Sequence, residues 1–219
     1  MEKLARKLAG RIAKTLDYDN EREQVIAYGL IAIIQTFMTV ALVLAGGLII
    51  KAPAEALIIC FSVSILRKYS GGAHVSFIEL CTFTAVVYCI LLAAVSKYFL
   101  APRMDTYFMS ALTAAVFALS FLIVYKLAPV DSPNKPIKTE KKKKRMRKGS
   151  FITLFIYLAL SAVFLLLSLK NESCRAYGIS LLFGISWQIF TLTKYGSYFL
   201  NGIDFGVSNI FGIQKGGEK

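Results

Sequence analysis

Apolar and polar positions separate into long blocks along this chain rather than mixing residue by residue. The first block is periodic: Leu4, Leu8, Ile12 and Leu16 recur every four residues, with Lys3, Lys7, Arg11 and Lys14 between them. That spacing gathers the apolar side chains on one helical face beside a cationic one, as in a helix lying along a membrane surface. Asp17, Asp19 and Asn20 break it. Six apolar runs follow, over residues 25–50, 54–66, 75–100, 106–127, 150–169 and 175–193. The first has 26 residues, with Gln35 as its strongest polar group. At about 1.5 Å per residue such a run spans a hydrocarbon core of about 30 Å with some tilt. The second, at 13 residues, is short for a straight crossing. Lys51 and Pro53 precede it; Arg67 and Lys68 follow it. No internal repeat is visible.

These runs predict an all-α polytopic membrane protein, one integral domain over 1–219. Its parts are an amphipathic N-terminal interfacial helix (1–20), four membrane segments (25–127), a basic cytoplasmic linker (128–149), two further segments (150–193) and a cytoplasmic tail (194–219). Residues 1–24 are too charged, and the first apolar run too long, for a cleavable signal peptide.

Composition agrees: 56% of the residues are hydrophobic and 18% charged, against about 25% charged in a soluble domain. The net charge of +13 would suggest nucleic acid in a soluble protein, but here the cations sit between apolar runs. Anionic lipid headgroups and topology account for them, and no nucleic-acid partner is expected. If the short second segment crosses, 21 of the 26 Lys and Arg residues share one side with both termini. Only Lys51, Lys97, Arg103, Lys170 and Arg175 face the other. The positive-inside bias therefore favours six crossings with both termini cytoplasmic.

The candidate chemistry lies between the second and third segments. His74 is the one histidine, and Cys81 follows seven residues later. Arg67 stands seven residues before His74, Gly71 and Gly72 just ahead of it, and Glu79 two residues before Cys81. A Cys/His pair suffices for thiol nucleophilic catalysis, because the imidazole takes the thiol proton and returns it to the leaving group. Seven residues on one continuous helix would separate the pair by about 10.5 Å, too far for contact. A dyad therefore requires a bend; Gly71–Gly72 can supply it, with Ser76 as N-cap of the next helix and Cys81 in its second turn. Each residue also has a plainer role open to it. His74 can be an interfacial histidine, Cys81 a packing residue and Gly71–Gly72 an ordinary turn; Arg67 and Lys68 can be topology charges, and Glu79 an ion-pair partner of Arg67. Cys60, Cys89 and Cys174 read as small buried hydrophobes. One His and these thiols fall short of a metal site, and no cofactor is expected. The Lys138–Lys148 block reads as an anchor to anionic lipid, a dock for an acidic peptide, or both.

The run Arg67-Lys68-Tyr69-Ser70-Gly71-Gly72-Ala73-His74, with Cys81 after it, resembles the accessory gene regulator protein B (AgrB) family. So do the basic amphipathic start, the six apolar segments, and the stretch from Ala128-Pro129 through Asn134-Lys135-Pro136 into the Lys/Arg cluster. The resemblance implies a membrane cysteine endopeptidase of Gram-positive quorum sensing, which cuts an AgrD-like precursor peptide and cyclises it into a (thio)lactone. It implies Cys81 as nucleophile, His74 as general base and acid, and supporting roles for Arg67 and Gly72 beside Gly71. It also implies precursor contacts through Lys141, Lys142, Lys143, Lys144 and Arg145. Glu79 as orienter of His74 comes from its position alone. Self-association as a homodimer stays open. The alternative from another class is a small membrane transporter or binding subunit without covalent chemistry, for which Glu79 within a span and the short second segment argue.

Overall fold

A computed structural model of the chain describes residues 2–73, 78–131 and 139–211, with the side chains of 2, 3, 78 and 207–211 excepted. Among the described residues the protein is all α-helical, with eight helices: α1 Glu2–Leu16, α2 Asn20–Ile49, α3 Pro53–Ser70, α4 Ile78–Ala94, α5 Thr106–Leu127, α6 Glu140–Leu167, α7 Glu172–Thr191 and α8 Lys194–Phe211. α4 runs on through a π-helical turn, Val95–Leu100.

The boundaries follow from local chemistry. Asp19 caps α2 by accepting from the Arg22 amide at 2.9 Å. Asp105 does the same for α5 through Phe108, and Asn171 for α7 through Ser173. Each supplies an acceptor that the first helical turn lacks. Pro53 opens α3 at a position where its missing N–H costs nothing.

Four helical spans, Asn20–Ile49, Glu79–Leu100, Thr106–Leu127 and Glu140–Leu167, are long and apolar enough to cross a membrane. A fifth arises if the bent pair α7–α8 counts as one. α3 is not among them, so the expected six crossings are not all matched by helices of this kind. The helix is nevertheless longer than the apolar run it contains. It has 18 residues, because Arg67–Ser70 continue it beyond Leu66. That gives about 27 Å at the helical rise.

α7 is the central helix; its buried residues lie on several faces, among them Ile179, Leu182, Ile185 and Gln188. α3, α5 and α6 pack around it through Leu66, Phe117, Val124, Leu154 and Tyr157. α2, α3 and α4 form a second cluster around Val43, Ala56, Ile59 and Cys89. By contrast Ile33, Phe37 and Ile49 on α2 are 66%, 75% and 81% exposed. So broad an apolar surface, without a partner among the described residues, suits a membrane environment.

α1 packs along α2 through Ala5, Ala9 and Ala13, all buried, while Leu4, Leu8, Ile12 and Leu16 stay outside. The small alanines let the two helices approach and leave the periodic leucine face free. At the far end of α3, Glu55 is 2% exposed and pairs with Lys97 of the π-helical turn at 3.4 Å. Lys97 also donates to the Lys51 carbonyl, and Tyr98 to that of Ile50.

Two regions differ in form from their appearance in the sequence. The Lys/Arg cluster, read as linker, is the start of α6 and is continuous with the fifth apolar segment. The stretch from Lys194, read as tail, forms the 18-residue helix α8. α8 leaves α7 at an 87° bend. Gly196 makes that corner feasible, because a Cβ there would run into the Phe190 carbonyl.

Candidate functional site

The C-terminal end of α3 is where the chain becomes irregular. α3 stops at Gly71, whose φ of +70° and ψ of −145° suit glycine, and Gly72 follows at φ +122°. Space requires glycine here as well. A Cβ on Gly71 would strike the Val130 carbonyl oxygen, and one on Gly72 would come within 2.9 Å of Thr191 Oγ1 and 3.2 Å of Gln188 Nε2. Both residues lie in backbone regions that L side chains rarely enter, so the turn is specified twice over.

Three segments hold this turn. The segment after α5 reaches across, with the Val130 amide donating to the Ser70 carbonyl at 2.9 Å. Its Ala128–Pro129 peptide is cis, and Arg147 of α6 donates to the Ala128 carbonyl at 2.8 Å. α7 contributes Gln188, 0% exposed, whose amide nitrogen donates to Ser70 Oγ at 3.0 Å and to the Gly71 carbonyl at 2.7 Å. The C-terminal turn of α7 adds the Thr191 carbonyl, which accepts from the Ala73 amide at 3.0 Å. Finally Arg67, one turn back on α3, donates to the Ala73 carbonyl at 2.5 Å. Each bond adds about 1 kcal/mol net, and together they make one conformation of residues 70–73 strongly preferred.

His74 comes next in sequence and lies outside the described residues, as does Ser76, the expected N-cap. α4 resumes at Ile78, so Cys81 is its fourth residue, close to the helix N-terminus. Cys81 is a half-buried free thiol. Four helices meet there. Arg67 of α3 and Asp204 of α8 both act on it electrostatically, and the Gln35 side chain of α2 is within hydrogen-bonding reach. Gln35 also donates to Thr82 Oγ1, next to Cys81, at 3.5 Å.

The other candidates are placed differently. Glu79 is exposed in the first turn of α4, and among the described residues no ion pair joins it to Arg67. Lys141, Lys142, Lys143, Lys144 and Arg145 line the first turns of α6, largely exposed, with Lys143 near Glu140 at 3.9 Å. They stand at the same end of the bundle as the turn, since Tyr69 of α3 packs against Gly149 of α6. Among the described residues no group of His, Cys, Asp and Glu is arranged to hold a metal ion. Sequence reasoning passed over Gln188, Thr191 and Asp204. The signal for Gln188 and Asp204 was present: each is a strongly polar side chain inside an otherwise apolar helical pattern.

No solved structure matches the chain. It is 39% identical over 206 residues to a putative AgrB-like protein 2 of Clostridium perfringens (strain 13 / Type A), covering 93% of this chain and 96% of the relative. A putative AgrB-like protein of C. perfringens strain SM101 is 37% identical over the same shares. A putative AgrB-like protein of Halalkalibacterium halodurans is 25% identical over 74% of this chain and 77% of its own length. The family described as Accessory gene regulator B matches residues 5–192, from within α1 to just past the end of α7. With its apolar helices, its glycine turn and a free thiol at the head of α4, the chain belongs to the accessory gene regulator B (AgrB) family.

Proposed function

We propose that this protein is a membrane cysteine endopeptidase that cuts a small AgrD-like precursor and closes the product into a ring. Membership of the family ties the chain to processing of the agr quorum-sensing peptide. The observation that carries the finer reading is the setting of Cys81. A thiol at the head of α4 stands beside the Arg67 guanidinium, and a twice-specified glycine turn leads directly into His74.

In this reading Cys81 gives its proton to His74 and attacks the scissile carbonyl. The tetrahedral intermediate collapses, His74 returns the proton to the departing amine, and the C–N bond breaks. The C-terminal fragment leaves, and a thioester links the N-terminal part to Cys81. A thiol or hydroxyl within the precursor then attacks that thioester. The ring bond forms, the C–S bond to Cys81 breaks, and Cys81 recovers a proton. Water competes for the thioester, and enclosure among α2, α3, α4 and α8 limits its access. Arg67 ties down Ala73 and so fixes the approach to the thiol.

The membrane arrangement follows from the same reading. α3 crosses as the short second span, giving six crossings in the cell membrane of a Gram-positive host. Both termini and the α6 cations then lie on the cytoplasmic side. α1 lies along that surface with its leucine face toward lipid. Lys141–Lys144 and Arg145 attract anionic headgroups and the acidic part of the precursor. A precursor held on the same membrane is concentrated in two dimensions, which raises its encounter rate without extra contacts.

Reconstitution in liposomes with the precursor encoded beside the gene, followed by mass spectrometry of Cys81, tests the proposal. An acyl adduct on Cys81 that disappears in both Cys81→Ala and His74→Ala is the expected result. Cleavage that persists in Cys81→Ala would overturn it and return attention to the transporter reading.

A further inference from the structure

Gln35 is the strongest polar group in the apolar run 25–50, and the dyad gives it no part. Polar side chains inside a membrane span are costly and mark functional sites by default. The place of Gln35 is fixed by the packing of α2 against α4. Gly46 sets the register of that pair, because a Cβ there would run into the Ile90 side chain. About three turns nearer the start of α2, the Gln35 amide nitrogen donates to Thr82 Oγ1 at 3.5 Å. Thr82 directly follows Cys81, and the same amide is within hydrogen-bonding reach of the thiol. Thr82 is 6% exposed, whereas Gln35 and Cys81 are both half-buried. Amide and thiol therefore stand together at the rim of the α2–α4 seam, where a substrate can meet both, unlike Gln188, which is sealed inside the bundle.

Thiol attack on a carbonyl creates a charge that such an amide suits. The carbonyl oxygen becomes an oxyanion, which is expensive in a water-poor site unless donors already face it. That oxygen lies two bonds from Sγ, so a donor within reach of the sulfur is within reach of the oxygen as well. A neutral amide donates without adding a net charge to the span. Of the other groups near the thiol, Arg67 is bound to the Ala73 carbonyl and Asp204 is an acid. The bond from Gln35 to Thr82 is long, so turning the amide to an oxyanion exchanges a weak neutral bond for a strong charge-assisted one.

We propose that Gln35 is a catalytic residue of the Cys81 site, whose side-chain N–H donates to the oxyanion of the tetrahedral intermediates in acylation and in ring closure. This inference rests on the reading of Cys81 as nucleophile. In acylation the sulfur bonds to the scissile carbon and the π pair moves to the oxygen, where Gln35 meets it. When the pair returns, the C–N bond breaks and the amine leaves with the proton that the thiol gave up. In ring closure the same oxygen is charged again as the precursor's own thiol or hydroxyl attacks. The pair then returns as the C–S bond breaks, and Cys81 recovers a proton. One donor serves both steps because the carbonyl stays at the Cys81 sulfur between them.

The test uses the full chain in liposomes with the precursor encoded beside the gene. Single-turnover acylation of Cys81 is compared in the unchanged protein, Gln35→Met, Thr82→Val and Cys81→Ala. Gln35→Met keeps the volume and removes the donor, so acylation is expected to fall roughly 100-fold or more, the scale of losing one oxyanion donor. Thr82→Val breaks the same bond between α2 and α4 but keeps the Gln35 amide, and acylation is expected to stay within a few-fold of the parent. A second probe reads the oxygen itself. A peptide aldehyde with the sequence on the N-terminal side of the cut adds the Cys81 thiol to give a hemithioacetal, whereas the matching peptide alcohol binds without adding. Aldehyde affinity is expected to fall roughly tenfold in Gln35→Met, the worth of about one hydrogen bond. Alcohol affinity and alkylation of Cys81 by iodoacetamide should stay at parent values.

 Parent-level acylation and aldehyde affinity in Gln35→Met would overturn the proposal and leave Cys81 standing as nucleophile. Equal losses in Gln35→Met and Thr82→Val, with alcohol binding lost as well, would overturn it by showing that Gln35 only clamps α2 to α4. Cleavage that persists in Cys81→Ala would remove the nucleophile and this inference together. If Gln35→Met fails to fold, Gln35→Leu, which leaves the seam apolar, decides by the same two readings.

Discussion

Gln188→Met gives the most direct test of how the glycine turn is held. The side chain is 0% exposed, and its amide nitrogen donates to Ser70 Oγ at 3.0 Å and to the Gly71 carbonyl at 2.7 Å. Methionine keeps the volume and removes both donors, so packing is largely conserved. At about 1 kcal/mol net for each bond, the closed turn loses about 2 kcal/mol. With about 1.4 kcal/mol per factor of ten, its opening equilibrium rises roughly 30-fold. Hydrogen exchange in nanodiscs reads that quantity, because local opening is reported residue by residue. Peptides covering 70–73 should exchange about 30-fold faster, while peptides from α5 stay unchanged. Precursor processing should slow as the turn leaves its working shape. Equal exchange in the variant and the parent would refute the idea that α7 fixes the turn. Faster exchange throughout the bundle would show instead that Gln188 holds the core as a whole.

Gly72→Ala places a Cβ at φ +122° and within 2.9 Å of Thr191 Oγ1. The strain is about 1–3 kcal/mol, so turnover in liposomes should fall roughly tenfold or more, and a fully active variant would show that the turn need not keep this shape. Lys97→Met leaves Glu55, 2% exposed, without its ion-pair partner. Since the Lys97 side chain is 35% exposed, the loss should be about 2 kcal/mol rather than the larger cost of a fully buried pair. Thermal unfolding in detergent should show the loss, and Glu55→Leu combined with Lys97→Met should recover most of it. The pair sits at the opposite end of α3 from Arg67, so processing per folded molecule should be unchanged.

The amino-acid order alone determined the helical class, the positions of the apolar segments and the neighbourhood in which chemistry was to be sought. These are local properties. A run such as 106–127 is apolar enough to define a helix in lipid without reference to any other part of the chain. Arg67, Gly71, Gly72, His74 and Cys81 could be singled out as candidates for the same reason, since they fall within fifteen consecutive residues. The second segment was harder to delimit. Arg67–Ser70 are polar, yet they continue α3 because Gly71 and the contacts with Val130 and Gln188 set its end.

Only the tertiary structure decided which distant residues pack against the candidate site. Gln188 is 117 positions from Gly71 and meets it because α7 packs along α3. Asp204 reaches the Cys81 region because α8 turns back at Gly196, and a glycine- and tyrosine-rich tail gives no periodic signal strong enough to announce that turn. Glu79, adjacent in sequence to the thiol, is exposed, whereas Asp204, far away in sequence, is buried beside it. Sequence distance measures reach along one helix. Which carboxylate faces the thiol depends on how helices pack, and packing is a property of surfaces that no single segment contains.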